Sequence, residues 1–303
     1  MGIKIDWTDP NPAADDYTVY RSNAPIADAS LPAPLVVLPS GTFTYQDDTV
    51  LRNQLYYYRI ASRKGSVVTL TPNKVLAYMP YTGPGPQALL RGDWNLGYFG
   101  RMPMNDLFSI QECVNLTGGP FAAPAAINNS ADLWWLKFVY KGKIIFIASQ
   151  PIYGALSWEQ LYRAGVIYGN FPSADWAPYA KTTFGTIPQA KQAARGDHSF
   201  VMRVPTSRAV MSSTSAAAAD QIGGEYDLIL AYAYQARNYP DALGYKQVDD
   251  IGNASWISFS TDLQAGVCIN RGSGTNPDAL NVSLGASAVH NLHGWRPLFE
   301  LVL

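Results

Sequence analysis

The sequence predicts a mainly β chain: an antiparallel sandwich first, then a larger β-rich α+β domain. Three observations carry this. Short segments in the first eighty residues alternate apolar and polar side chains with a period of two. Turn residues separate these segments at short intervals. Two Gly-Pro pairs in Tyr81-Thr-Gly-Pro-Gly-Pro86 interrupt any ladder or helix. The expected organisation is a sandwich over 1–80, a Gly/Pro linker over 81–90 and a second domain over 91–303, in keeping with roughly 100–200 residues per domain.

Ile3, Ile5 and Trp7 alternate with Lys4, Asp6 and Thr8, which places the apolar set on one face of an opening strand, and Asp9-Pro-Asn-Pro12 stops it. Tyr17-Thr-Val-Tyr20 is the next extended segment. A Pro-rich connection from Pro25 to Pro39 and a strand around Thr42-Phe-Thr-Tyr45 follow. Leu55 to Ala61 alternates again, and Lys64-Gly65 offers the turn into Val67-Val-Thr-Leu70.

Trp7 in an early strand, Tyr17-Thr-Val-Tyr-Arg21 in a central one, and Leu55–Ala61 after Asp47-Asp-Thr resemble a fibronectin type III domain of the immunoglobulin-like class. The resemblance covers about a quarter of the chain. It implies that Tyr56 is the family's corner tyrosine, whose hydroxyl ties the chain back across the sandwich edge. It also implies that the family's first strand is missing or supplied from elsewhere, leaving an edge for another chain, or another part of this one, to cover.

Beyond the linker the pattern is mixed. Pro103 to Cys113 reads as a short helix capped by Asn105. Leu133–Tyr140, Lys141-Gly142 and Lys143–Ile147 form the clearest hairpin. Ser157 caps a short helix that Gly165 stops. Phe200–Val204 is a strand, Tyr226–Tyr232 fits strand or helix, and Arg208 to Gly224 is a Ser/Ala-rich insertion. Ser255–Phe259, Gly266–Gly272 and Gly294–Leu303 are strand-like units, the last with alternate residues in the core.

The hairpin, the Ser-Trp helix and the terminal Gly294-Trp-Arg-Pro297 together resemble virion structural proteins of tailed bacteriophages. Arg271-Gly and Gly294-Trp-Arg296 resemble, more distantly, the closing strands of C-type-lectin-like folds, although that family's Glu-Pro-Asn or Gln-Pro-Asp sugar-binding triplet is absent. The phage resemblance implies a non-enzymatic component of capsid surface, baseplate or tail fibre. Its expected partners are other virion subunits, including copies of itself, and a host-surface glycan or protein. The competing reading is a bacterial carbohydrate-binding module or glycosidase with an accessory fibronectin-like domain.

Composition narrows the function further. Charged residues are 15% of the 303 and hydrophobic ones 48%, which is core material rather than a disordered chain. With 22 basic against 23 acidic residues there is no cationic field for nucleic acid or anionic membranes. Low charge also means weak self-repulsion, which suits a protein fixed in an assembly. The opening residues carry no cationic segment before an apolar run, Asp6 stands where a myristoylation signal has Ser or Thr, and no apolar stretch approaches the ~20 residues of a membrane helix. A virion protein made in a host cytoplasm is the expectation. Cys113 and Cys268 are expected as buried, unbridged thiols.

Candidate chemistry is thin. Three histidines, His198, His290 and His293, are the whole supply, and His290-Asn-Leu-His293 lacks a nearby Cys or carboxylate to complete a metal shell. Asp15-Asp16 and Asp249-Asp250 are adjacent pairs, which in a strand point to opposite faces. No nucleophile-elbow, phosphate-loop or zinc-protease motif is present, so no enzyme, cofactor or metal is expected. Arg91-Gly-Asp93 and Arg195-Gly-Asp197 are read as turns. The positive signal is aromatic: 13% of residues, with 19 Tyr and 8 Trp. Trp134-Trp135 are neighbours whose rings must face opposite sides of a strand, so one needs a second layer or a partner. Candidate interface or structural residues are Tyr57, Trp134, Trp135, Trp256, Trp295 and Arg296, with Arg296 expected to pin the loop before the last strand through a carboxylate or carbonyl partner.

Overall fold

The computed structural model describes residues 2–9, 14–118, 133–170, 178–206, 224–231, 257–264, 267–273, 276–289 and 293–303. Trp256, His290, Asp249, Asp250 and all but Gly224 of the Ser/Ala-rich insertion lie outside them. The chain is mainly β and divides into two compact units. One comprises Met1–Thr82, Asp93–Gly97 and Val139–Gly142; the other comprises Gly83–Gly92, Tyr98–Phe138 and Lys143–Leu303. Among the described residues no helix is long and apolar enough to cross a membrane.

In the first unit, β1 (Ile3–Asp6) pairs antiparallel with β4 (Thr44–Asp47) as a two-stranded sheet. The alternation read from the sequence is present, with Ile3 and Ile5 buried and Lys4 and Asp6 exposed. A second sheet runs β3 (Pro34–Pro39), β2 (Asp16–Ser22), β5 (Leu55–Lys64), β6 (Val67–Leu70), with β7 (Lys74–Ala77) also on β5. The two sheets share one core: Ile3 and Ile5 join Tyr17, Val19, Tyr56, Tyr58 and Ile60, a sandwich interior of aromatic and β-branched side chains. The Tyr56 hydroxyl accepts from the Leu51 N–H at 2.9 Å. Two differences from the sequence reading have local causes. The Pro-rich connection contains strand β3, because its prolines stand at the two ends of a strand on the sheet's edge, where the missing N–H is least costly. The strand expected at 42–45 lies two residues later, held by pairing with β1.

A knot of polar groups fixes this unit. The Asp47 carboxylate is fully buried and accepts from Arg21 Nη1 and Tyr58 Oη, both at 2.8 Å, and from the Thr49 hydroxyl and N–H at 2.7 and 3.0 Å. Burial works to raise its pKa, but these donors outweigh it and hold the carboxyl below its ordinary value.

In the second unit a seven-stranded sheet runs β13 (Gln192–Arg195), β14 (His198–Arg203), β19 (Leu298–Val302), β11 (Lys143–Ala148), β10 (Trp134–Tyr140), β9 (Leu96–Pro103), β8 (Arg91–Gly92). A five-stranded sheet runs β12 (Tyr153–Gly154), β18 (His293–Trp295), β15 (Ile257–Gln264), β16 (Val267–Ser273), β17 (Asn276–Gly285). The β10–β11 hairpin turns at Lys141 and Gly142, both with positive φ, as a two-residue loop with this twist demands. β10 and β11 are buried on both faces from Trp135 to Val139 and from Ile144 to Ala148, which explains their nearly continuous apolar sequence.

Four short helices complete the described elements of regular structure: α1 (Met104–Leu107), α2 (Ile110–Leu116), α3 (Trp158–Arg163) and α4 (Pro178–Phe184), together with a π-helical turn at Tyr226–Ala231. The single helix expected from Pro103 is two, and Asn105 is not its cap. The chain breaks at Phe108, and Ser109 starts α2 with a capping box to Glu112. α3 starts as expected at Ser157, with Gln160 closing the box.

Candidate functional site

The residues singled out by sequence do not converge on one place. Tyr57 lies in β5 of the first unit, half-buried opposite Val75 and Ser22. Trp134 and Trp135 face opposite sides of β10 as their adjacency requires. Trp135 is fully buried, its Nε1 donating to the carbonyls of Met104 and Phe108 at 3.2 and 3.0 Å and its ring edge-on to Phe299. Trp134 is half-buried under the Arg101 guanidinium, 4.4 Å from its ring centre. The second layer that the pair needed is thus supplied within the chain for Trp135, and a cation covers Trp134. Trp295 is fully buried in β18, and Trp256 is outside the described residues.

Arg296 departs from expectation. It is 1% exposed, but its Nε and Nη1 meet no hydrogen-bond acceptor, and burial pushes its pKa down. The carboxylates go to Arg203 instead. Arg203 on β14 makes a forked pair with Glu225, 2.6 Å on each side, and a longer 3.4 Å contact with Glu300 of β19. Glu225 also accepts from the Thr206 N–H, and Thr206 Oγ1 accepts from the Glu225 N–H, both at 3.0 Å. Glu300 is engaged a second time by Lys143 at 2.6 Å. No spacing signal marks this cluster, because Glu225 and Glu300 stand 22 and 97 residues from Arg203. For Arg296 an apolar side chain of similar length relieves an unmet buried charge. Arg296→Met is therefore expected to stabilise the second unit by about 1–3 kcal/mol, read as a raised melting temperature.

Lys137 is the other buried cation. It is fully buried on β10, with Nζ donating to the carbonyls of Gly83, Pro84 and Pro86 at 3.4, 2.9 and 2.6 Å. The rings of Phe99 and Phe146 lie 5.0 and 5.7 Å from it. Burial pushes the amine down to about 7, while the carbonyls and ring faces favour the ammonium. Lys137 thereby holds the Gly/Pro segment against the sheet. Between pH 7 and the ordinary lysine range the unfolded chain binds more protons than the folded one, so stability should rise with pH across that window. Melting curves are expected to show this slope in the wild type, flattened in Lys137→Met.

The remaining titratable groups serve turns and pairs. Asp15 accepts from the Gly65 N–H at 2.7 Å, and Asp16 pairs with Arg63. Arg91 and Gly92 of the first Arg-Gly-Asp are strand β8 rather than a turn, and only Asp93 opens the turn that follows, accepting from the N–H groups of Asn95 and Leu96. The second is the turn between β13 and β14, with Arg195 held by Glu112. Cys113 and Cys268 are buried and not bridged. Among the described residues no group of three His, Cys, Asp or Glu side chains could hold a metal ion, and His198 packs edge-on to Phe200.

In the first unit, the residues after β1 and the facing parts of β2, β5 and β6 line a cavity of about 200 Å³ that includes Trp7, Asp9, Tyr17 and Ser62. Asp9 Oδ2 accepts from the Tyr17 and Ser62 hydroxyls at 2.9 and 3.0 Å. Sequence reasoning placed Trp7 in the core and Asp9 in a strand-stopping turn; only the register of β2, β5 and β6 brings them together. The chain matches no family model, no curated protein and no solved structure.

Proposed function

We propose that this chain is a non-enzymatic structural protein of a tailed-phage virion, at the capsid surface, baseplate or tail fibre, which works by permanent association with other subunits. The observation that carries the reading is that the two outer strands of the first unit's larger sheet are each paired on one side only among the described residues. These strands, β3 and β6, expose Val37, Val67 and Val68 at 58%, 64% and 53%. Exposed β-branched residues on unpaired edges are costly in a free monomer and invite pairing with another chain. The β1 edge is different, since Lys4 and Asp6, both exposed, pair along the strand at 3.0 Å and Lys74 Nζ donates to the Asp6 carbonyl at 3.1 Å, which blunts it. The resemblance of the first eighty residues to fibronectin type III domains, and of the closing segments to phage virion proteins, supports the same reading.

Sedimentation velocity of the purified chain tests it. Concentration-dependent oligomers are expected, and Val67→Asp with Val68→Asp should return the chain to monomer without lowering its melting temperature. A chain that is monomeric at every concentration, with the double variant indistinguishable from it, would overturn the proposed edge. Release of reducing sugar from a glycan panel would replace the reading with a glycosidase.

A further inference from the structure

We infer that the partner of the first unit's larger sheet is a second copy of this chain, joined head to tail with β6 of one copy against β3 of the next. The inference rests on the assembly reading above and adds to it the occupant and the register. Ladder polarity permits the joint. β3, β2, β5 and β6 are antiparallel at each successive pairing, so the two outer strands run in opposite directions. A copy shifted sideways along the sheet therefore brings its β3 antiparallel to the first copy's β6, and the pattern continues unbroken.

The two strands match. Neither Pro34-Leu-Val-Val-Leu-Pro39 nor Val67-Val-Thr-Leu70 carries a charge to deter pairing. An extra residue at Leu35 and the missing N–H of Pro39 confine the pairable stretch of β3 to Val36–Leu38, and the exposed stretch of β6 is Val67–Thr69, three residues against three. Val37 stands opposite Thr18, and Thr18 opposite Ala61; Val68 stands opposite Arg63, two residues along β5 from Ala61. Val37 and Val68 thus lie on one face of the sheet. Setting them against each other keeps the faces aligned and covers two side chains that are 58% and 53% exposed. Charge chooses the same partner. Asp15 and Asp16 stand at the start of β2, the neighbour of β3, while Arg63 and Lys64, with which they pair, close β5, the neighbour of β6. A head-to-tail joint brings the bases of one copy toward the acids of the next, whereas β6 against β6 brings base toward base. Because the joint uses two different patches, it builds rings or filaments rather than a closed pair.

Cross-linking between full chains carrying tags of different size tests it. Val37→Cys and Val68→Cys chains, mixed and treated with a short bis-maleimide at a concentration where the wild type is oligomeric, should give the mixed product in excess over either chain joined to itself. Cys113 and Cys268 are buried, and the wild type treated alike sets the background. Val37→Lys, on the opposite edge from Val67 and Val68, should by itself return the chain to monomer in sedimentation, since a head-to-tail series needs both edges. Oligomers that survive Val37→Lys, or a Val68→Cys product with itself as abundant as the mixed one, would overturn the head-to-tail joint and leave the assembly reading standing on β6. A wild-type chain that is monomeric at every concentration would remove both.

Discussion

Removal of Leu298–Leu303 is expected to abolish soluble folding of the second unit. β19 lies inside the seven-stranded sheet, paired on one side with β14 from Ser199 to Arg203 and on the other with β11 from Ile145 to Ile147. Without it two strands lose their partner at once and the sheet is cut in two. The same deletion removes Leu298 and Phe299, both fully buried, and Leu301. Phe299 stacks on Phe108 at 4.5 Å and meets Trp135 at 5.3 Å, so its loss opens the aromatic centre of the unit. At about 1.5–3 kcal/mol for each buried apolar side chain, before the broken ladder is considered, the loss rivals the whole stability of a domain. Expression followed by circular dichroism checks it: the truncated chain should collect in the insoluble fraction, or show one melting transition from the first unit alone.

Arg203→Ala is expected to cost about 3–5 kcal/mol, because it strands two carboxylates in the interior. Glu225 is 2% exposed, so it cannot turn to water when its partner goes, and Glu300 keeps only Lys143. The Glu225 loss also reaches the Thr206 N–H, which that carboxylate holds. Replacing both partners, as Arg203→Met with Glu225→Leu, should recover much of the stability, since no buried charge is then left alone. Urea denaturation of the three variants gives the comparison. A double variant as unstable as the single one would mean that the pair contributes more than mutual neutralisation.

How much of this was legible in the sequence follows from the range of the interaction concerned. The alternation of Ile3 to Thr8, the Lys141-Gly142 turn and the Ser157 cap are local patterns, and each is present in the structure. The closing strand is present too, but its burial does not alternate, since neighbouring Leu298 and Phe299 are both buried inside a sheet covered on both faces. Ser109 was also legible, since Ser-x-x-Glu is a local capping signature, and Asn105 was preferred to it only because the helix was assumed unbroken through Phe108. β17 was missed because Asn276–Gly285 mixes Asn, Asp and Pro with few apolar residues, and pairing with β16 decides its conformation. The two buried cations and the Trp7 cavity depend on contacts between distant segments. A lysine in Trp-Trp-Leu-Lys-Phe-Val gives no sign that carbonyls some fifty residues earlier will hold it. Arg296 shows the opposite limit, for its burial was readable from its apolar neighbours while the absence of acceptors at its Nε and Nη1 was not.

Antibody-gold electron microscopy of purified particles tests the proposal that this chain is a fixed component of an assembled particle. The expected result is label at one recurring position on each particle, at the capsid surface, the baseplate or a fibre, retained after high-salt washing as an interface of more than about 2,000 Å² would be. Label absent from particles, with the chain wholly in the soluble fraction, would contradict it.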